Sequence, residues 1–313
     1  MLWYIKKESE GEKMLANTIK IKSLDNLILT GLIYKNEKRN NKILISVHGM
    51  ATNCMKERDE EIAKKLNEIN IDMLVFNNRG EGIANYVAKE NGEKILGGTA
   101  FEDVEESYND IVGAINYAIS KEYKEIYIMG HSLGSTKTVY TYNKLIENKE
   151  EEILDRIKGI ILLSLVDIPT AIRIYLNDKF PHMLTYAKNM EKENMENILM
   201  PEKSFIHPIS VKTFLKYTRD YKNIDFAKYS EIEFEFSELN NIKVPLMMRW
   251  GTDREMILQK PEELCNKLKA KIKNPKLDIG YITGANHSYK GMEEELASEV
   301  KKFIEKSNNY IEK

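Results

Sequence analysis

The sequence predicts an α/β protein: a mostly parallel central sheet with helices on both faces and a helical cap inserted before the late strands. Three observations carry this. Apolar, β-favouring runs alternate with amphipathic helical stretches between residues 42 and 166, the order that builds a parallel sheet through crossover helices. Residues Glu125 to Ser135 read as strand, tight turn and helix start. After Asp167 the alternation stops for about 75 residues of helical pattern, far more than a crossover connection needs. The expected division is a core domain of residues 1–167 and 244–313 with an inserted cap at 168–243.

Composition sets the outer bounds. A chain of 313 residues can bury one large α/β core. Lys and Arg number 47 against 49 Asp and Glu, so no net field draws in nucleic acid or an anionic membrane. Cys54 and Cys265 lie far apart, without a C-x-x-C pattern, which suits reduced thiols better than a disulfide framework. The first eleven residues hold too short an apolar run for a signal peptide, and nothing elsewhere resembles a membrane span. The expectation is a cytoplasmic protein.

In chain order, Thr18 to Ile21 and Leu27 to Tyr34 read as an antiparallel hairpin that opens the sheet. Lys42 to Val47 is a buried strand running into His48-Gly49-Met50, where the glycine lets the backbone approach a ligand and the Met50 amide is available to it. His48 sits in a turn-forming dipeptide, well before Ser132 in the chain, which favours a structural role over that of a catalytic base. Glu57 to Leu66 reads as helix and Met73 to Asn77 as strand. Asn78-Arg79-Gly80-Glu81-Gly82 fails as a dinucleotide fingerprint because Asn85 occupies the third glycine position. Arg79 is expected in a structural network instead.

A glycine-containing loop follows, then a helical pattern from Phe101 to Ile119, with Thr99 as its cap and Glu102, Asp103, Glu105 and Glu106 in its first turns. Gly130-His131-Ser132-Leu133-Gly134 follows a strand and opens a helix. That is G-x-S-x-G, in which the glycines let Ser132 sit exposed on a strained turn; the alternative is an ordinary serine N-cap. Gly159 to Val166 and Val244 to Trp250 are further strands, the second ending in Gly251-Thr252-Asp253-Arg254-Glu255. Asp253 is the candidate acid, with a helix cap or a salt bridge to Arg254 as its structural alternative. Leu277 to Ile282 leads to His287 in a loop, and a helix from about Met292 closes the chain. In the intervening segment, Tyr175, Phe205, Tyr217, Tyr221, Phe226 and Tyr229 are expected mainly as packing, and His182 and His207, each beside a proline, as turn residues.

These motifs together resemble the α/β-hydrolase superfamily over nearly the whole chain. The resemblance implies Ser132 as nucleophile, His287 as base, Asp253 as the acid that orients it, and the amides of Met50 and Leu133 as oxyanion hole. The run from Gly97 to Asp103 is similar to the branch containing siderophore-cleaving esterases of the fusarinine type. The implied activity is hydrolysis of a small or medium-sized carboxylic ester through an acyl-enzyme. A thioesterase, amidase, peptidase or acyltransferase could use the same triad, and a non-catalytic small-ligand protein is the contrasting class. No cofactor or metal is expected, since H-E-x-x-H and Walker spacings are absent and the five histidines do not cluster.

Overall fold

A computed structural model describes residues 16–218 and 226–311, with side chains to 308. The N-terminal stretch weighed as a signal peptide, and Tyr221, lie outside the described residues. The chain begins with β1 (Ala16–Lys22), β2 (Ile28–Tyr34), β3 (Lys42–Val47), α1 (Glu57–Asn67) and β4 (Asp72–Phe76). A small hairpin, β5 (Asn85–Ala88) and β6 (Lys94–Gly97), precedes α2 (Ser107–Ser120), β7 (Glu125–His131), α3 (Leu133–Glu147), α4 (Glu151–Leu154) and β8 (Ile157–Leu163). Then come α5 (Ile168–Leu176), α6 (Phe180–Lys192), α7 (Val211–Thr218) and α8 (Ser237–Asn240), and finally β9 (Leu246–Gly251), α9 (Pro261–Lys271), β10 (Leu277–Ile282) and α10 (Glu293–Ile311).

The central sheet has eight strands in the order β1-β2-β4-β3-β7-β8-β9-β10. From β4 to β10 neighbouring strands run parallel, whereas β1 and β2 join antiparallel at one edge. The strands are apolar on both sides because both sides are covered. In β7, Ile126 and Ile128 face a cluster with residues of α2, α3 and α9, while Tyr127 and Met129 face one with residues of α1 and α10. In β8, Ile160 and Leu162 alternate with Ile161 and Leu163 in the same way. The two-residue period of a strand thus assigns each side chain to one layer. This is the fold of the α/β hydrolases.

Between β8 and β9 a third cluster forms, with Ile172 and Leu176 of α5, Ala187 of α6, and Phe214 and Tyr217 of α7. It also includes Leu133, the first residue of α3. Farther along, Phe226, Tyr229, Phe236 and Leu239 pack into the sheet cluster instead. Tyr229 lies edge-on to Trp250, and both donate to the carbonyl of Leu165, at 2.9 and 3.1 Å.

Two local expectations change. The segment from Phe101 to Glu106 forms turns, and α2 starts at Ser107. The acids expected to complement the helix dipole are used in tertiary contacts: Glu102 pairs with Lys137, Asp103 and Glu105 with Lys216, and Glu106 with Arg79. Thr99 caps no helix; its hydroxyl accepts from the amide of Ala51 at 2.7 Å. The loop before it contains the β5–β6 hairpin. Arg79 is buried and paired with Asp110, Asp25 and Glu106, the network the sequence indicated.

Candidate active site

All the candidate groups emerge at one edge of the sheet, the carboxyl ends of its parallel strands, where open α/β sheets place their ligands. The register shows this directly: Val47 of β3 lies opposite Gly130 of β7, His131 opposite Leu163 of β8, Leu163 opposite Arg249 of β9, and Gly251 opposite Ile282 of β10. The loops leaving these strands carry Met50, Ser132, Ser164, Glu255 and His287.

Ser132 has φ 56° and ψ −124°, a conformation that non-glycine residues rarely hold and that costs about 1–3 kcal/mol. The turn is enforced by its flanks. A Cβ on Gly130 would lie 2.3 Å from the carbonyl oxygen of Gly134, and one on Gly134 would lie 2.1 Å from that of Val47. Only glycine allows strand, turn and helix to approach so closely. Gly49 packs against the same elbow, where a Cβ would meet the His131 carbonyl at 2.9 Å. Among the described residues, the N–H groups of Met50 and Leu133 donate no hydrogen bond, and both residues border the cavity that Ser132 faces. At the start of α3 that cavity also receives the positive end of the helix dipole.

The histidine is held from two sides. His287 Nδ1 lies 2.8 Å from Oε2 of Glu255, while the backbone carbonyl of His287 accepts from His131 Nε2 at 2.6 Å. The two imidazole rings stand 5.1 Å apart. Burial holds the His131 imidazole well below its ordinary pKa, with the Arg58 charge acting in the same direction. It is therefore neutral, with its one ring proton on Nε2, and serves as a fixed donor to the His287 loop.

The acid expected from the sequence is not the one that touches the histidine. Asp253 is half exposed and pairs with Arg254 at 3.4 Å, the structural alternative weighed for it. Glu255 turns inward instead. Its Oε1 accepts from Ser164 Oγ at 2.5 Å and from the amide of Gly251 at 2.8 Å. Its Oε2 takes His287 and, at 3.3 Å, the amide of Met256. Burial raises the carboxyl pKa, but His287 and these donors outweigh it and leave the group below its ordinary value. The intervening Arg254 has φ 49°, so the chain twists sharply there and directs the two acids differently. The sequence carried one signal for this, a second carboxylate in the same turn.

Behind the serine lies a buried polar network. Lys137 of α3, fully buried, donates to Glu102 at 2.5 Å and to Asn78 Oδ1 at 3.0 Å. Asn78 donates its amide to His48 Nε2 at 3.1 Å and its side chain to the His48 carbonyl at 3.3 Å. His48 Nδ1 in turn donates to the Gly49 carbonyl at 2.9 Å. Burial, reinforced by the Lys137 charge, lowers the His48 pKa to about 3. His48 is thus a neutral support for the Gly49–Met50 turn. None of the residues from Gly97 to Asp103 borders the cavity; Thr99 and Glu102 belong to its supporting structure.

The cavity itself has a volume of about 520 Å³. Ser132, His287, Met50 and Leu133 line it, together with the apolar side chains of Val166, Ile168, Phe205 and Met256. His207 also borders it. A strained serine on an elbow, a histidine held by a carboxylate and two amides that donate no hydrogen bond among the described residues come together in one pocket of an α/β-hydrolase fold.

Residues 97–312 match the family described as "Protein of unknown function (DUF1749)", and the chain belongs to that family. A comparison with curated proteins finds no match. Among solved structures it is similar to Est1E from Butyrivibrio proteoclasticus with ferulic acid bound, at 17% identity and a TM-score of 0.62, covering 93% of this chain and 99% of that one. It is also similar to the esterase Pf2001 of Pyrococcus furiosus, at 18% identity and 0.58, covering 94% and 91%. Naproxen esterase from Bacillus subtilis matches at 15% identity and 0.54, covering 93% and 92%. These likenesses show the shared fold. Among the described residues, no helix is long and apolar enough to cross a membrane.

Proposed function

We propose that this protein is a serine hydrolase that cleaves a small or medium-sized carboxylic ester. The observation that carries the reading is the 2.8 Å contact between His287 Nδ1 and Glu255 Oε2, beside a cavity lined by His287 and the strained Ser132. Ser132 Oγ attacks the acyl carbon as its proton passes to Nε2 of His287. Glu255 keeps the Nδ1 proton in place and stabilises the imidazolium. The amides of Met50 and Leu133 receive the oxyanion, each such donor being worth roughly 10²–10³ in rate. The carbon–oxygen bond to the leaving group then breaks, and His287 returns the proton to the departing alcohol. Water, deprotonated by His287, attacks the acyl-Ser132 ester and releases the acid.

Residues 168–243 act in this reading as a cap, with α5 and the Phe205–His207 stretch over the nucleophile, supported by the place of Ile168, Phe205 and His207 in the cavity wall. Both cysteines are free and buried, which supports a reducing, cytoplasmic setting. The esterases of like fold support ester over amide chemistry. The test is labelling by a fluorophosphonate probe of the wild type and of Ser132→Ala, with the adduct mapped by peptide mass spectrometry. The expected result is one adduct at Ser132 that is lost in the variant. A folded wild-type protein that takes no label, or takes it elsewhere, overturns the reading.

A further inference from the structure

A second cavity, of about 280 Å³, adjoins the first. Ala171, Phe205, Ile206 and Met256 border both, so the two cavities share part of their walls. Around the second cavity the surface is unusually apolar. Ile174 is 50% exposed, Tyr175 44%, Ile206 41% and Leu258 61%, and all four border this cavity. Scattered exposed apolar residues need no explanation, but a set converging on one concavity marks a place where apolar surface is to be covered.

The polar groups in its wall are mostly committed elsewhere. Asp167 accepts from the amide of Thr170 at 3.1 Å as the cap of α5. Tyr229 donates to Leu165, and Glu255 is taken up by His287, Ser164 and Gly251. Gln259 donates to the Tyr229 carbonyl at 3.0 Å, leaving its Oε1 without a partner among the described residues. What the cavity offers a ligand is chiefly hydrocarbon contact.

We propose that this second cavity is the subsite for an apolar chain of the ester substrate, whose carbonyl lies at Ser132. The inference rests on the serine-hydrolase reading above and extends it to substrate class. A cavity of about 280 Å³ has room for an apolar chain of several carbons. The chain reaches it past Phe205 and Met256, the side chains common to both cavities. Its source is either the acyl part or the alcohol part of the ester, and these are distinguished by experiment.

The experiment measures kcat/KM for two series: p-nitrophenyl esters from acetate to octanoate, and acetate esters of alcohols from ethanol to octanol. The expected result is a rise with chain length in one series, by about threefold to fourfold per methylene, levelling off once the cavity is filled. Ile174→Glu, at a half-exposed position on α5, should erase that rise while leaving the shortest ester within twofold of wild type, and Leu258→Glu should erase it as well. Flat profiles in both series, or variants that slow short and long esters alike, overturn the proposal. A second readout does not depend on turnover: NMR titration of Ser132→Ala with methyl octanoate, octyl acetate and methyl acetate. Tighter binding of either long ester, abolished by Leu258→Glu, supports the subsite, and equal binding of all three rejects it. Should Ser132 take no fluorophosphonate label and no ester be turned over, the hydrolase reading fails, and the titration still decides whether the cavity binds chains.

Discussion

Oε2 of Glu255 and Nδ1 of His287 lie 2.8 Å apart, and the other carboxylate oxygen is occupied by Ser164 and the Gly251 amide. Every lone pair that matters for orientation is therefore engaged. Glu255→Gln should keep the packing yet favour the wrong tautomer of His287, reducing kcat by up to about 10⁴-fold. Asp253→Asn, altering only a half-exposed group paired with Arg254, should stay within about twofold of wild type. Steady-state kinetics on the two variants separate the roles, and the reverse ranking would return Asp253 to the site.

The strain at Ser132 predicts a trade between stability and activity. Glycine accepts φ 56° and ψ −124° without the Cβ penalty, so Ser132→Gly should be more stable than Ser132→Ala by about 1 kcal/mol. Both should be inactive. Urea denaturation of the two variants checks the difference, and equal midpoints would mean the elbow stores no strain.

Lys137 and Glu102 form an ion pair with both side chains all but fully buried. Removing one partner leaves a charge without compensation, so Lys137→Met should cost about 3–5 kcal/mol. Lys137→Met combined with Glu102→Leu should recover part of that loss. Chemical denaturation in a double-mutant cycle measures the coupling, which would be near zero if the pair were incidental.

Acid should destabilise the fold through His48 and His131. Both are buried neutral, with pKa values below the ordinary imidazole value, that of His48 at about 3. In the unfolded chain each regains a pKa of about 6.5. Below that pH the unfolded state binds more protons. The stability contribution is thus complete above about pH 6.5 and is lost toward the folded pKa, by ~1.4 kcal/mol per pH unit for each histidine. Urea midpoints between pH 7.5 and 4 should fall accordingly, and His48→Gln should flatten the slope.

The legible parts of this protein were those with local causes. Ser132 was visible because an elbow demands glycines at fixed spacing, and the parallel strands because burial on both faces makes them continuously apolar. Glu255 was hidden because Asp253 and Glu255 occupy the same turn, and only the backbone at Arg254 and the donors from Ser164 and Gly251 decide between them. The acids from Glu102 to Glu106 suited a helix start, but their partners Lys137, Lys216 and Arg79 lie far away in sequence. The β5–β6 hairpin escaped notice because its strands are four residues each within a glycine-containing stretch.

The contact between His131 and the His287 carbonyl joins residues 156 positions apart. Helices and the edge hairpin can form from neighbours in sequence, whereas this contact requires β8, β9 and β10 to have docked beside β7. Such distant pairings are slow to form. During refolding, far-ultraviolet circular dichroism should therefore recover ahead of fluorophosphonate labelling of Ser132, whose appearance would time the closing of the sheet.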